Sequence, residues 1–179
     1  ANRSVGMTTL AKCAVLMLGL ASCSRTETYG FVAVLGDDTT SVERVTRSGN
    51  RIIGDAIGRS PTVTRRHWEA ELASDGAITS WSMDAWIPNA PPAAQRIHYT
   101  ARFTDGTSSF TRRTAAGDTS WAYRNEYAET VPWNAFVYAT WELMLDAARR
   151  QKDPHTARIG QYFFQGWDEG HVGYADITH

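Results

Sequence analysis

The chain has 179 residues, 42% of them hydrophobic, with 18 basic and 19 acidic side chains and a formal net charge of −1. The length fits a single domain, and a charge this close to neutral argues against nucleic acid as a partner, because phosphate binding needs an excess of positive charge. Two cysteines, Cys13 and Cys23, are too few for a disulfide framework.

The first segment reads as an export signal. Met7 looks like the start, with residues 1–6 upstream of it. Thr8 to Lys12 carry one positive charge, Cys13 to Leu20 are apolar, and Ala21-Ser22 are the small residues that a peptidase requires before a cut. The apolar run is too short for a bilayer-spanning helix, which takes ~20 residues. Polar sequence, Ser24-Arg25-Thr26-Glu27-Thr28, follows at once. Leu20-Ala21-Ser22-Cys23 resembles the lipobox of bacterial lipoproteins. The resemblance covers Met7 to Cys23. It implies export from the cytoplasm, a diacylglycerol thioether on Cys23, and a membrane as partner, in the periplasm or at the outer membrane. Ser24 after the cysteine implies the outer membrane. Each buried methylene contributes about 0.8 kcal/mol, so two acyl chains anchor stably. The expected organisation is a signal over 1–23 and one β-rich domain over 24–179. With both cysteines spoken for, no thiolate is left for a disulfide or a metal, and no cofactor is expected.

The rest alternates short strands with turn signals at meander spacing. Strands are expected over Phe31–Leu35, Thr40–Arg47, Arg51–Ile57, Thr62–Leu72 and Ala77–Ile87. Pro88-Asn89-Ala90-Pro91-Pro92 then breaks the sheet, since proline cannot donate to a ladder. Gln95–Phe103, Thr107–Thr114 and Thr119–Glu126 follow. One helix is expected from Pro132, in its first turn, to Gln151, before Asp153-Pro154. Phe136, Val137, Thr140, Trp141, Met144, Leu145 and Ala148 recur at helical spacing, widened by Leu143 and Ala147. A last hairpin, Arg158–Trp167 and His171–Thr178, turns at Asp168-Glu169-Gly170. The end at Tyr174-Ala175-Asp176-Ile177-Thr178-His179 reads like mid-strand, as in a partial gene product.

A four-residue loop after Leu72 sets Trp68 opposite Trp81, on one face with Ala70 and Met83. The other face carries Arg65, His67, Glu69 and Glu71, with Arg65 opposite Asp84, His67 opposite Ser82 and Glu69 opposite Ser80. Ile97, Tyr99, Ala101 and Phe103 alternate with Arg96, His98, Thr100 and Arg102 in the same way. A sheet with one apolar face must cover it. The expected fold class is therefore mainly β (α+β): an antiparallel meander, curved or half-closed as a barrel on one long helix, or else a two-layer α+β sandwich. The first arrangement is similar to open-barrel lipoproteins that carry or sense lipids, in architecture only. The pattern also resembles uncharacterised secreted β-rich bacterial proteins, which implies no known activity.

Three clusters carry chemistry. Ser82, His67 and Asp84 are the residue types of a hydrolytic triad, but they stand on flat strands without a nucleophile elbow. His67, Glu69, His98 and Asp84 suit a hard or borderline metal ion, yet no ligand spacing supports one. Cross-strand ion pairs on a solvated sheet face explain both sets. Asp168-Glu169-Gly170-His171 crowds two carboxylates and an imidazole into one turn, the ordinary composition of a hairpin loop. Most of the seven tryptophans suit a core. Trp86, on the charged face, does not, and with His98 it is the candidate ligand contact. The expected function is a lipid-anchored cell-envelope protein acting as a non-catalytic binding or carrier module, for an apolar small molecule or an envelope protein. The alternatives are a hydrolase around His67 and Ser82 and a structural subunit of an envelope assembly.

Overall fold

Eight consecutive strands build one antiparallel meander, each paired with its neighbours in sequence. They are β1 (Thr26–Leu35), β2 (Asp38–Ser48), β3 (Arg51–Arg59), β4 (Val63–Leu72), β5 (Ile78–Trp86), β6 (Arg96–Thr104), β7 (Thr107–Thr114) and β8 (Gly117–Arg124). The first two turns hold Gly36 at φ 62° and Gly49 at φ 58°, a left-handed geometry that glycine adopts without a β-carbon clash. The Pro88–Pro92 break contains a 3-10 turn, Pro92–Ala94. The structure, a computed structural model, describes residues 25–59, 62–104, 106–127, 129–134, 137–153, 156–163 and 171–178. Cys23 and the whole signal, Phe136, Phe164, Trp167 and the Asp168-Glu169-Gly170 turn lie outside the described residues.

A second layer follows from β9 (Thr130–Trp133), α1 (Ala139–Arg150), β10 (Thr156–Phe163) and β11 (His171–Thr178). β9 and β10 are parallel, and β11 pairs antiparallel with β10. Parallel neighbours need a crossover, which α1 supplies. The inner face of the large sheet and this second layer share one core. Trp68, Trp81, Met83 and Phe110 meet Val131, Leu143, Met144, Ile159 and Tyr162 there. Phe110 and Tyr162 stack face to face across the layers, 3.4 Å between centroids.

Alternation places the expected residues on the expected faces, but three expectations are corrected. First, the eight-stranded sheet stays open: β1 pairs with β2 alone and β8 with β7 alone. It is not a closed barrel. Second, no long helix is present among the described residues. Pro132 belongs to β9, at the edge of the small sheet opposite Tyr162, where a missing N–H costs nothing. α1 has only 12 residues and buries Leu143, Met144, Ala147 and Ala148, while Trp141 is 51% exposed. The buried stripe is rotated towards Leu143 and Ala147, because the opposite flank turns Glu142 and Asp146 to β1 and β2. Tyr29 donates to Glu142 Oε2 at 2.7 Å, and Arg47 lies 3.7 Å from Asp146. Third, the β4–β5 register is displaced by two residues. Trp68 faces Met83, Ala70 faces Trp81, and the pairing shifts between Glu71 and Leu72. That irregularity leaves Thr79 as an extra residue on β5. A two-residue displacement keeps every side chain on its face, whereas one residue would have inverted them all.

Glu43 holds the two layers together. It points into the core from β2, 1% exposed. Its Oε1 accepts from the Trp68 indole N–H at 2.8 Å. Its Oε2 accepts from the backbone N–H groups of Tyr138 at 2.6 Å and Ala139 at 3.0 Å. Tyr138 offers no side-chain cap of its own, so a carboxylate from the sheet caps α1 and meets the positive end of its dipole. Burial raises the Glu43 pKa, and the three donated hydrogen bonds pull against that rise. Gly54 on β3 leaves the space that the Trp68 indole fills; a β-carbon there would overlap the ring. Among the described residues no helix is long and apolar enough to cross a membrane.

Candidate binding face

The meander aligns residues of successive strands into transverse rows on the outer face. One row runs Arg44, Asp55, His67, Asp84, His98, Arg113, Asp118 from β2 to β8. Its charges largely neutralise each other. His67 Nδ1 lies 2.8 Å from Asp55 Oδ1, His98 Nδ1 lies 2.8 Å from Asp84 Oδ1, and Arg113 Nε donates to Asp118 Oδ2 at 3.1 Å. Glu69, one row away, takes a bond from Arg51 and lies 3.5 Å from His67 Nε2. The hydrogen bond that His67 donates to Asp55 is the main cause that raises the His67 pKa, while Arg51 holds Glu69 below the usual carboxylate range. His67 therefore favours the imidazolium form between two carboxylates.

This geometry decides what the expected triad and metal set do. The register puts Asp84, not Ser82, opposite His67, and Ser82 between Glu69 and Thr100. A general base needs one ring nitrogen turned to the nucleophile; both nitrogens of His67 meet carboxylates instead. Asp84 serves His98, on its other side. Among the described residues no three His, Cys, Asp or Glu side chains are gathered as for a metal ion.

The next row differs. It runs Val32, Val42, Ile57, Arg65, Trp86, Arg96 from β1 to β6. Trp86 thus stands on the outer face, as its sequence position implies, with Arg65 and Arg96 across from it on the two neighbouring strands. The Arg65 guanidinium lies over the indole, 5.1 Å from the ring centre, a cation–π contact. Among the described residues neither Arg65 nor Arg96 is paired with a carboxylate. On the inner face beside them, burial lowers the Arg66 guanidinium to about 10, which leaves it charged at neutral pH. The other half of the row is apolar and exposed, Val32 by 64%, and Val34 and Val63 extend it. A shallow groove of 280 Å³ runs along Val42, Ile57 and Val63.

Two further clefts are polar. One, of 410 Å³, lies between α1 and the first two strands and is lined by Tyr29, Arg47, Glu142 and Asp146. The other, of 210 Å³, lies among the turns near Asp75, Thr104 and Asn125. Reasoning from sequence missed Glu43 as the interlayer cap. It also missed the Arg–Trp–Arg row, whose signal was Arg65, Trp86 and Arg96 at like parity on consecutive strands. No protein family, curated protein or solved structure matches the chain.

Proposed function

We propose that the chain is a lipid-anchored, non-catalytic binding module of the cell envelope, tethered through Cys23, and that it binds on the outer face of its large sheet. The observation that carries this reading is the row from Val32 to Arg96, where exposed aliphatic groups adjoin an indole between two arginines. Large side chains such as Trp68, Trp81 and Tyr162 fill the space between the layers, which favours surface binding over a carrier that encloses an apolar molecule. A structural subunit of an envelope assembly is the second reading. It is favoured by the β1 edge, where Val32, Val34 and Leu35 are exposed. Mass spectrometry of the membrane-extracted full chain tests the tether. The expected result is a diacylglycerol mass on Cys23 that is lost in Cys23→Ser. Membrane-extracted parent chain without added lipid mass on Cys23 would refute it.

A further inference from the structure

We propose that this corner of the outer face docks on a bilayer surface rich in acidic phospholipid; the proposal deepens the binding-module reading by naming the partner of that same site. Strand spacing of about 4.8 Å makes the six-residue row roughly 24 Å long. Its β1–β3 half presents Val32, Val42 and Ile57 to solvent, and its β4–β6 half presents Arg65, Trp86 and Arg96. An acidic bilayer offers the matching pattern, with negative head groups beside accessible acyl carbon. Aliphatic side chains enter the head-group boundary, indoles settle at it, and guanidinium groups pair with phosphates.

Charge complementarity selects this occupant. Elsewhere on the outer face Arg51, Arg59 and Arg113 are paired with Glu69, Asp38 and Asp118, while Arg44, Arg102 and Arg124 have no carboxylate partner among the described residues but do not flank an indole. Arg65 and Arg96 flank one indole with no carboxylate between them, so their charge is left for an external anion. The apolar half is a strip with a shallow groove, suited to a broad surface more than to one enclosed molecule. The row lies towards the end of β1 remote from Thr26.

The test uses the full chain carrying Cys23→Ser, so that no acyl anchor contributes, in flotation with vesicles of phosphatidylglycerol and phosphatidylcholine or of phosphatidylcholine alone. Binding to the acidic vesicles only is expected. Arg65→Gln and Arg96→Gln should each weaken it about fivefold, the effect of one basic side chain at an acidic surface. The pair should cost about 25-fold if the two act additively. Val42→Ser with Ile57→Ser should weaken it several-fold. Arg102→Gln with Arg124→Gln, equal charge removed elsewhere on the same face, should leave it nearly unchanged, and millimolar inorganic phosphate should not displace the protein. Urea midpoints equal to the parent's establish that each variant is folded. Three results would each overturn the proposal: no preference for acidic vesicles, an equal loss in the Arg102/Arg124 pair, or displacement by free phosphate. Cys23 is absent throughout, so the tether and this contact fail separately.

Discussion

Replacing Glu43 by alanine removes the acceptor that joins β2, β4 and α1. Three donors, the Trp68 indole N–H and the N–H groups of Tyr138 and Ala139, lose their partner. A buried donor left unsatisfied costs about 1–3 kcal/mol, and the helix N-terminus loses a dipole contact worth up to ~2 kcal/mol. Relief of the buried charge offsets part of this, since burial already disfavours the carboxylate. The net expectation is about 3–5 kcal/mol, the usual cost of breaking a buried charged network. For a domain of this size that lowers the melting temperature by about 10–15 °C. Urea denaturation followed by tryptophan fluorescence measures it. A double-mutant cycle with Trp68→Phe isolates the indole bond, and its coupling should be about 1.5–3 kcal/mol, as for a hydrogen bond to a charged group. A loss below about 1 kcal/mol for Glu43→Ala, or a coupling indistinguishable from zero, refutes the interlayer cap.

Gly54→Ala should destabilise the domain by about 1–3 kcal/mol, because the new β-carbon overlaps the Trp68 indole; an unchanged urea midpoint would show that the indole has room to move. The raised His67 pKa fixes the sign of a pH effect. Its contribution is complete below the unfolded value of about 6.5 and is lost as pH rises through the higher folded value. The stability difference between the parent and His67→Gln should therefore shrink from pH ~5.5 to ~8.5 and be reduced by salt, since the pair is half exposed; a difference that grows with pH would contradict the ion-pair assignment. Ser82→Ala should leave stability within ±0.5 kcal/mol of the parent's by urea denaturation, as for a half-buried position on the solvent face outside any network.

Side-chain alternation made the division of the large sheet into two faces legible. Trp68, Trp81, Met83, Tyr99 and Ala101 read as inward, and His67, Asp84, Trp86 and His98 as outward, and each lies so. Register was less legible. A connection one residue longer than expected, with Leu72 opposite Ile78, and the extra residue at Thr79 together moved His67 from Ser82 to Asp84, and a bulge leaves little mark on composition. Pro132 read equally well as a helix start and as an edge-strand residue, because both positions tolerate a missing N–H. The helix stripe was ambiguous between two phases, and contacts from Tyr29 and Arg47 to Glu142 and Asp146 select the one that exposes Trp141.

Periodicity and turn chemistry are local, so the amino-acid sequence by itself determined a β meander with an apolar and a charged face, and a helix late in the chain. Which residues become neighbours across strands and layers depends on bulges and on packing between segments 95 or more residues apart, as with Glu43, Tyr138 and Ala139. The tertiary structure alone therefore decided that both His67 nitrogens meet carboxylates, that one glutamate caps the helix from the sheet, and that Trp86 stands between two arginines at the end of an apolar row.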